Sequence, residues 1–98
     1  MQVSITGRHV NVTDNVKTHV EDKLERSLGV FPRIESVRVI LDTENRDQVS
    51  EVIIQGSNHI RITAIEKSEN LYDAIDRSIE HAERQMRKHR DKTQDHHK

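Results

Sequence analysis

The feature that most constrains the fold of this 98-residue chain is a regular spacing of apolar residues near its C-terminal end. They follow one another at steps of four, four, three and four residues: Leu71, Ile75, Ile79, Ala82 and Met86. This spacing places all of them on one face of an α-helix. Because such a helix is stable only when its apolar face is covered, the rest of the chain must supply a surface for it to pack against.

The polar residues around this apolar stripe set the limits of the predicted helix. Ser68 or Asn70 can cap its N-terminus by accepting a hydrogen bond from an early backbone amide. After the stripe, Arg, Lys and Gln residues favour helix to about Arg90, and no apolar residue occurs from position 92 onward. We therefore expect one folded domain over residues 1–91 and a flexible C-terminal tail over residues 92–98.

A second apolar stripe predicts another helix near the N-terminus. Its members recur every four residues: Val16, Val20, Leu24 and Leu28. Thr13 can cap the first turn with its hydroxyl, and Gly29 is a typical helix stop. We predict a helix from Thr13 to Leu28, followed by a connector in which Phe31 closes the end of the core.

Four segments alternate between apolar and polar residues, as strands with one buried face do. They cover residues 2–6, 36–43, 49–55 and 59–65. The side chains predicted to face the core are Val3, Ile5, Val37, Val39, Leu41, Val52, Ile54, Ile60, Ile62 and Ala64.

The order of these elements limits the topology. The first two strands flank a helix and can pair in parallel through a right-handed crossover. The last three strands can form an antiparallel meander. Since each helix has one apolar face, both must cover the same face of the sheet. The sequence predicts an α+β fold, a two-layer β-α-β-β-β-α sandwich with a four-stranded sheet.

Several classes of function are excluded by residue content. The chain has no cysteine and therefore no disulfide or thiol chemistry. It shows no secretory signal and no apolar stretch of membrane-spanning length, so we expect a cytoplasmic protein. There is no phosphate-binding glycine loop and no catalytic constellation, and we predict that the chain is not an enzyme.

Seven histidines raise the question of a metal site. His81 and His89 would lie about 12 Å apart along the last helix, too far to share one ion. His96 and His97 are adjacent in the predicted tail and do not make a preformed site. We predict neither a metal nor another cofactor.

Positive charge is concentrated at the end of the last helix. Five basic residues and one acidic residue lie between Arg84 and Lys92, although the whole chain has a formal net charge of −1. At 100° per residue, one row of the last helix points away from its apolar stripe: Arg77, His81, Arg84 and Lys88. Lys23 and Arg26 lie off the stripe of the first helix, so the two helices could share one basic surface. Segregated charge of this kind suits contact with a polyanion. Because only 2% of residues are aromatic, contact with phosphates or recognition of RNA shape fits better than stacking on bases.

Two other interpretations remain open. Glu80 and Glu83 precede Arg84 and Arg87 by four residues, so the arginines could serve only as partners in helical ion pairs or as a solvated face. Alternatively, the chain could be a protein–protein adaptor that docks through the open face of the sheet, where three isoleucines point outward: Ile40, Ile53 and Ile65.

Two motifs of the last helix resemble a known family, the short ribosome hibernation-promoting factors. Residues 70–76, Asn-Leu-Tyr-Asp-Ala-Ile-Asp, are similar to the family's Asp-Met-Tyr-Ala-Ala-Ile-Asp. Residues 84–92, Arg-Gln-Met-Arg-Lys-His-Arg-Asp-Lys, follow at the expected distance and are close to Arg-Gln-Leu-x-Lys-His-Lys-Asp-Lys. The chain is thus similar, over about residues 1–92, to a family that includes the ribosome-associated inhibitor protein Y and is also called the sigma-54 modulation protein family. Leu71 and Asn70 depart from its usual Met and Asp.

The resemblance implies a fold similar to double-stranded-RNA-binding domains and a specific partner, the small ribosomal subunit with its 16S rRNA. Binding would occur in the mRNA and tRNA channel, across the A and P sites, and would block translation. In many members it also leads to inactive dimers of whole ribosomes. The isolated protein is expected to be monomeric, and its end at Lys98 favours the short form, without the dimerisation domain of the long form.

The resemblance also implies roles for individual residues. It makes Tyr72 and Ile75 core residues. The RNA-binding residues carried over are Lys23, Arg26, Arg84, Arg87, Lys88, Arg90 and Lys92.

Overall fold

The computed structural model describes the backbone of residues 1–95 and the side chains of residues 1–90. Its elements are β1 (Gln2–Gly7), α1 (Asp14–Leu28), β2 (Ile34–Glu44), β3 (Asp47–Gly56), β4 (Arg61–Ser68) and α2 (Leu71–Asp95). The predicted order and the α+β fold class are confirmed. The helix α2 continues to Asp95, past its expected end near Arg90, so the predicted tail over residues 92–98 overlaps the end of this helix. Residues 96–98 lie outside the described part of the chain.

The four strands form one sheet in the order β1-β2-β3-β4. The strand β1 pairs in parallel with β2, and the remaining pairs are antiparallel, as predicted. The sheet has two ends. The lower end is the end at which β1 and β2 begin and β3 ends. The upper end is the end that carries the β2–β3 turn. No helix among the residues that the structure describes is long and apolar enough to cross a membrane.

The core lies between the inner face of the sheet and the two helices. The apolar stripes of α1 and α2 are almost completely buried, and so are Val37, Val39, Val52 and Ile54 on the sheet. Thr13 caps α1 by accepting a hydrogen bond from the amide of Val16 at 3.2 Å. The predicted apolar faces and the predicted cap of α1 are thus confirmed. Both could be predicted because they depend on local residue spacing.

One polar contact crosses the core. The hydroxyls of Ser50 on β3 and Ser78 on α2 are fully buried and lie 2.8 Å apart, and the Ser78 hydroxyl donates to the carbonyl of Ile75 at 2.9 Å. Buried hydroxyls are costly without such partners. The pair therefore holds α2 over β3, and neither buried hydroxyl is left without a hydrogen-bond partner.

Two predicted core positions are wrong. Val3 is 37% exposed and only Ile5 of β1 is partly buried, because β1 lies at the edge of the sheet away from β3 and β4, the strands that α2 covers. Tyr72 is 39% exposed. It lies in the first turn of α2 on the flank towards α1, where its ring meets the ring of His19 edge-on at a centroid distance of 4.9 Å. Ile75 is fully buried, as expected.

Candidate nucleic-acid interface

Two side-chain contacts join the two helices and show their relative register. Nε2 of His19 lies 2.7 Å from a carboxylate oxygen of Asp76, and Nζ of Lys23 donates to Glu80 at 2.9 Å. Both partners advance by four residues, so α1 and α2 run parallel. One turn further on, Arg26 therefore comes level with the part of α2 that begins near Arg84.

The lower end of this helical layer is closed by a contact between α2 and the connector after α1. The guanidinium of Arg90 lies 5.2 Å from the centre of the Phe31 ring, which is 6% exposed. Phe31 therefore closes the core, as predicted, and the cation covers its outer side.

Five of the predicted RNA-binding residues lie at the surface in this lower part of the helical layer. We call them the helical basic surface: Arg26, Arg84, Arg87, Lys88 and Arg90. Lys23 lies apart from them, because its side chain is only 19% exposed and is held by Glu80. The side chain of Lys92 lies outside the described residues.

The ion pairs of α2 differ from the prediction at one position. Arg87 pairs with Glu83 at 3.2 Å, as expected. The predicted pair between Glu80 and Arg84 is wrong, because Glu80 turns to Lys23 on the neighbouring helix. Arg84 and Lys88 therefore take part in no ion pair among the side chains of residues 1–90.

The outward row predicted on α2 divides into two halves. Arg77 pairs with Asp73 at 2.9 Å, and Nδ1 of His81 lies 2.8 Å from Glu66 of β4. Asp73 therefore neutralises Arg77, and Glu66 holds the ring of His81. Among the described side chains, the positive charge of the row without an ion-pair partner begins at Arg84.

Interaction with the helix dipole does not account for Arg84 and Lys88. The negative end of the helix dipole acts only within about the last turn. Because α2 ends at Asp95, Arg84 and Lys88 lie well before that turn. Arg26, in contrast, lies in the last turn of α1, where the dipole favours it.

The N-terminus of α2 is built by local hydrogen bonds. The side-chain oxygen of Asn70 accepts from the amide of Asp73 at 3.2 Å, which identifies Asn70 as the cap. The Ser68 hydroxyl donates to the Asp73 carboxylate at 2.7 Å. Asp73 therefore has a structural role at the start of the helix.

Three basic residues of the lower end were not among the predicted site residues. Arg33, Arg38 and Arg61 are exposed and take part in no ion pair among the described side chains. The strand pattern already placed Arg38 and Arg61 on the outer face of the sheet. Only the strand register shows that they come to lie at the same end as the helical basic surface.

The outer face of the sheet is less apolar than the adaptor interpretation requires. Ile40 is 7% exposed and Ile53 is partly buried, so only Ile65, at 51%, presents a large apolar surface. Isolated exposed apolar residues are common on soluble proteins. The structure therefore does not single out a docking patch of isoleucines.

Titratable groups at the upper end show one clear electrostatic effect. The pKa of the Asp42 carboxyl is lowered, mainly by its hydrogen bond with His9 at 3.1 Å and also by the amide of Thr43.

Within the described residues, no group of three or more histidine or carboxylate side chains is arranged to hold a metal ion.

These features define a class of protein, a small two-layer α+β domain whose helical layer carries exposed basic side chains at its lower end. Residues 3–94 match the model of one family, described as "Sigma 54 modulation protein / S30EA ribosomal protein". The chain belongs to this family, which confirms the resemblance found in residues 70–76 and 84–92.

Curated relatives are similar over nearly the whole chain. A protein of Pseudomonas putida named "Ribosome hibernation promoting factor" is 36% identical over 94 residues, which is 96% of this chain and 91% of the relative. A protein of the same name from Azotobacter vinelandii is 37% identical over 92 residues, 94% and 85% of the two chains. A third, from Escherichia coli K12, is 33% identical over 96 residues, 98% and 100% of the two chains.

Solved structures show the same fold. The N-terminal domain of Protein Y from Thermus thermophilus superposes with a TM-score of 0.77 at 26% identity, covering 87% of this chain and 94% of that one. A ribosomal subunit interface protein from Coxiella burnetii has a TM-score of 0.86 at 20% identity and covers 92% and 98%. At 20% identity, the similarity to the Coxiella burnetii protein shows a shared fold alone.

Proposed function

We propose that this chain is a non-enzymatic ribosome hibernation factor of the cytoplasm. It binds the small ribosomal subunit in the mRNA and tRNA channel, across the A and P sites, and stops translation by occupying that space. The helical basic surface makes the contact with the phosphate backbone of 16S rRNA. The observation that carries the proposal is the pair of exposed cations Arg84 and Lys88, which have no ion-pair partner among the side chains of residues 1–90, in a chain whose relatives are named ribosome hibernation promoting factors.

Phosphate contact is favoured over recognition of bases. The ring of Phe31 is buried beneath Arg90, and the ring of Tyr72 lies at the upper end of α2 against His19. The described residues therefore offer no Phe, Tyr or Trp ring beside the helical basic surface on which single-stranded bases could stack. Guanidinium and ammonium groups bind phosphates without such a platform.

The arrangement of the helices lets binding and folding proceed independently. The apolar stripe of α2 faces the sheet, while Arg84 and Lys88 lie on the opposite side of the same helix. A phosphate can reach these cations without disturbing the core. The chain therefore binds RNA as a preformed rigid surface, and it loses little conformational entropy on binding.

A ribosome that holds the chain in its channel cannot accept mRNA or tRNA there, so it is inactive. The chain promotes or stabilises inactive ribosome dimers in the same bound state, and the isolated protein is monomeric. The inactive state extends to this chain what the name of its relatives, ribosome hibernation promoting factor, says of them, and the ribosome dimers and the monomeric free state are further parts of the proposal.

Co-sedimentation with purified ribosomal subunits tests the proposal. The chain should pellet with small subunits at low salt and dissociate steeply as salt rises, because each neutralised phosphate releases counterions. Large subunits serve as the control. Failure to pellet with small subunits at low salt would refute the proposed function.

A further inference from the structure

The outer face of the sheet, opposite the helices, has different charge patterns at its two ends. At the upper end this face carries two side-chain pairs, since His9 lies 3.1 Å from Asp42 and Lys67 donates to Glu44 at 3.1 Å. At the lower end, Arg38 and Arg61 are exposed and have no ion-pair partner among the described side chains. Their positive charge is therefore available to a ligand.

Strand register brings these two arginines into neighbouring cross-strand rows. One row contains Gln2, Ser36, Gln55 and Arg61, and the next contains Ser4, Arg38, Ile53 and Thr63. The arginines lie on β2 and β4, one row apart, so their Cα atoms are separated by about 12 Å. We call these two rows the sheet basic surface.

The sheet basic surface has the composition of a phosphate-binding surface. Neither row contains a carboxylate. The neighbouring carboxylates are Glu35, which is exposed at the irregularity of β2 just before Ser36, and Glu51, in the following row with Ile40 and Ile65. Apart from Ile53, which is partly buried, the residues between the arginines are Ser, Thr and Gln. Those are side chains that donate hydrogen bonds to phosphate oxygens.

The two basic surfaces meet around the lower end of the domain. The amide of Ser57 donates to the carbonyl of Arg33 at 3.0 Å, which holds the β3–β4 loop with His59 beside the connector after α1. Phe31, two residues before Arg33, is the residue that Arg90 covers. Arg33 and His59 are both exposed, so basic side chains continue from the helical face to the sheet face.

We propose that the sheet basic surface binds a second segment of RNA backbone, so that the lower end of the domain is held between two RNA segments. This inference rests on the proposed function, because the RNA is that of the small ribosomal subunit. Unpaired arginines among hydroxyl and amide groups, with almost no exposed apolar area, complement a polyanion rather than the apolar centre of a protein interface.

Binding on both faces has a physical consequence. A domain that contacts RNA through one face can tilt about that face, whereas contacts on opposite faces of one rigid sheet fix its orientation. Contacts on each face also add separately to the number of phosphates neutralised, and hence to the salt dependence of binding.

A cleavage probe on the outer face tests this directly. The chain has no cysteine, so Thr63→Cys gives a single attachment point for an iron-EDTA probe between the two arginines. The variant Arg77→Cys places the same probe on the outer side of α2. In complexes with small subunits, the position-63 probe should cleave 16S rRNA at nucleotides different from those cleaved from position 77. The unmodified chain treated with the reagent gives the background.

The outcomes of the probe experiment are distinct. Cleavage from position 77 with none above background from position 63 overturns the inference and leaves the proposed function intact. A photo-crosslinker at position 63 that captures ribosomal protein and no RNA also overturns it. If the unmodified chain does not bind small subunits at all, the proposed function fails, and the inference fails with it.

A matched pair of double variants gives a second test. Arg38→Gln with Arg61→Gln should lower the slope of log K against log salt by about 1.5 and weaken binding about tenfold. The control, Lys17→Gln with Arg46→Gln, removes the same net charge from exposed, unpaired positions away from the lower end. It should change affinity less than about twofold. Equal effects of the two pairs on slope and affinity would overturn the inference.

Discussion

Removal of two charges from the helical basic surface separates RNA contact from folding. Each phosphate neutralised by Lys or Arg contributes about 0.7 to 0.9 to the slope of log K against log salt. Arg84→Gln with Lys88→Gln should therefore lower that slope by about 1.5. If each exposed contact is worth about 0.7 to 1 kcal/mol, the loss is about 1.4 to 2 kcal/mol, or tenfold to thirtyfold in Kd.

The assay is a titration of fluorescently labelled chain with purified small subunits at several salt concentrations, together with thermal unfolding of the free chain. Both substituted side chains lie opposite the buried stripe of α2, so the free energy of unfolding should change by less than about 0.5 kcal/mol. For a domain of this size that corresponds to a Tm shift below about 4 °C.

The control for this variant is again Lys17→Gln with Arg46→Gln, which has the same net charge. If the control weakens binding as much as the double variant in α2, the effect is one of total charge and the site is misassigned. If the Tm of the α2 variant falls in step with its affinity, Arg84 and Lys88 are structural residues. Either result would refute the reasoning.

Three further predictions follow from individual contacts. Glu80→Gln frees Lys23 and removes a negative charge beside the helical basic surface, so affinity for small subunits should rise about threefold, and an unchanged or weaker Kd would contradict this. His9→Ala should raise the pKa of Asp42 towards its ordinary value of 3.8, as followed by NMR titration of the carboxyl. Because the folded-state pKa of Asp42 is lowered, its ionised form contributes stability above pH 3.8, and this contribution is lost as the pH falls through the folded-state pKa. Leu24→Ala should cost about 2 to 5 kcal/mol of unfolding free energy by denaturant titration, because the side chain is fully buried, and a cost below about 1 kcal/mol would contradict the described core.

The fold could be predicted from the sequence because it depends on local patterns. A spacing of four residues in α1 and alternation in β3 each fix which face is apolar, and the order of elements then limits the topology. The exposure of β1 is not a local property, since it depends on the place of this strand at the sheet edge away from β3 and β4, which α2 covers. Val3 has the same alternation as the central strands and yet is 37% exposed.

The details of the candidate site depend on tertiary contacts that a sequence pattern does not contain. Glu80 has two possible cationic partners, one on its own helix and one on α1, and only the packing of the helices selects Lys23. Tyr72 lies at the flank of α2, where its burial depends on how closely α1 approaches. Arg38 and Arg61 could be placed on the outer face from alternation, but their proximity requires the strand register.

The central claim is that this chain binds the small ribosomal subunit and inactivates the ribosome. A sucrose-gradient profile of ribosomes with added chain tests it most directly, because the same run shows binding, the subunit chosen and the formation of ribosome dimers. We expect the chain to migrate with small subunits and with whole ribosomes, and the variant with Arg84→Gln and Lys88→Gln to be largely released at moderate salt. A chain that stays at the top of the gradient, or that migrates only with large subunits, would contradict it.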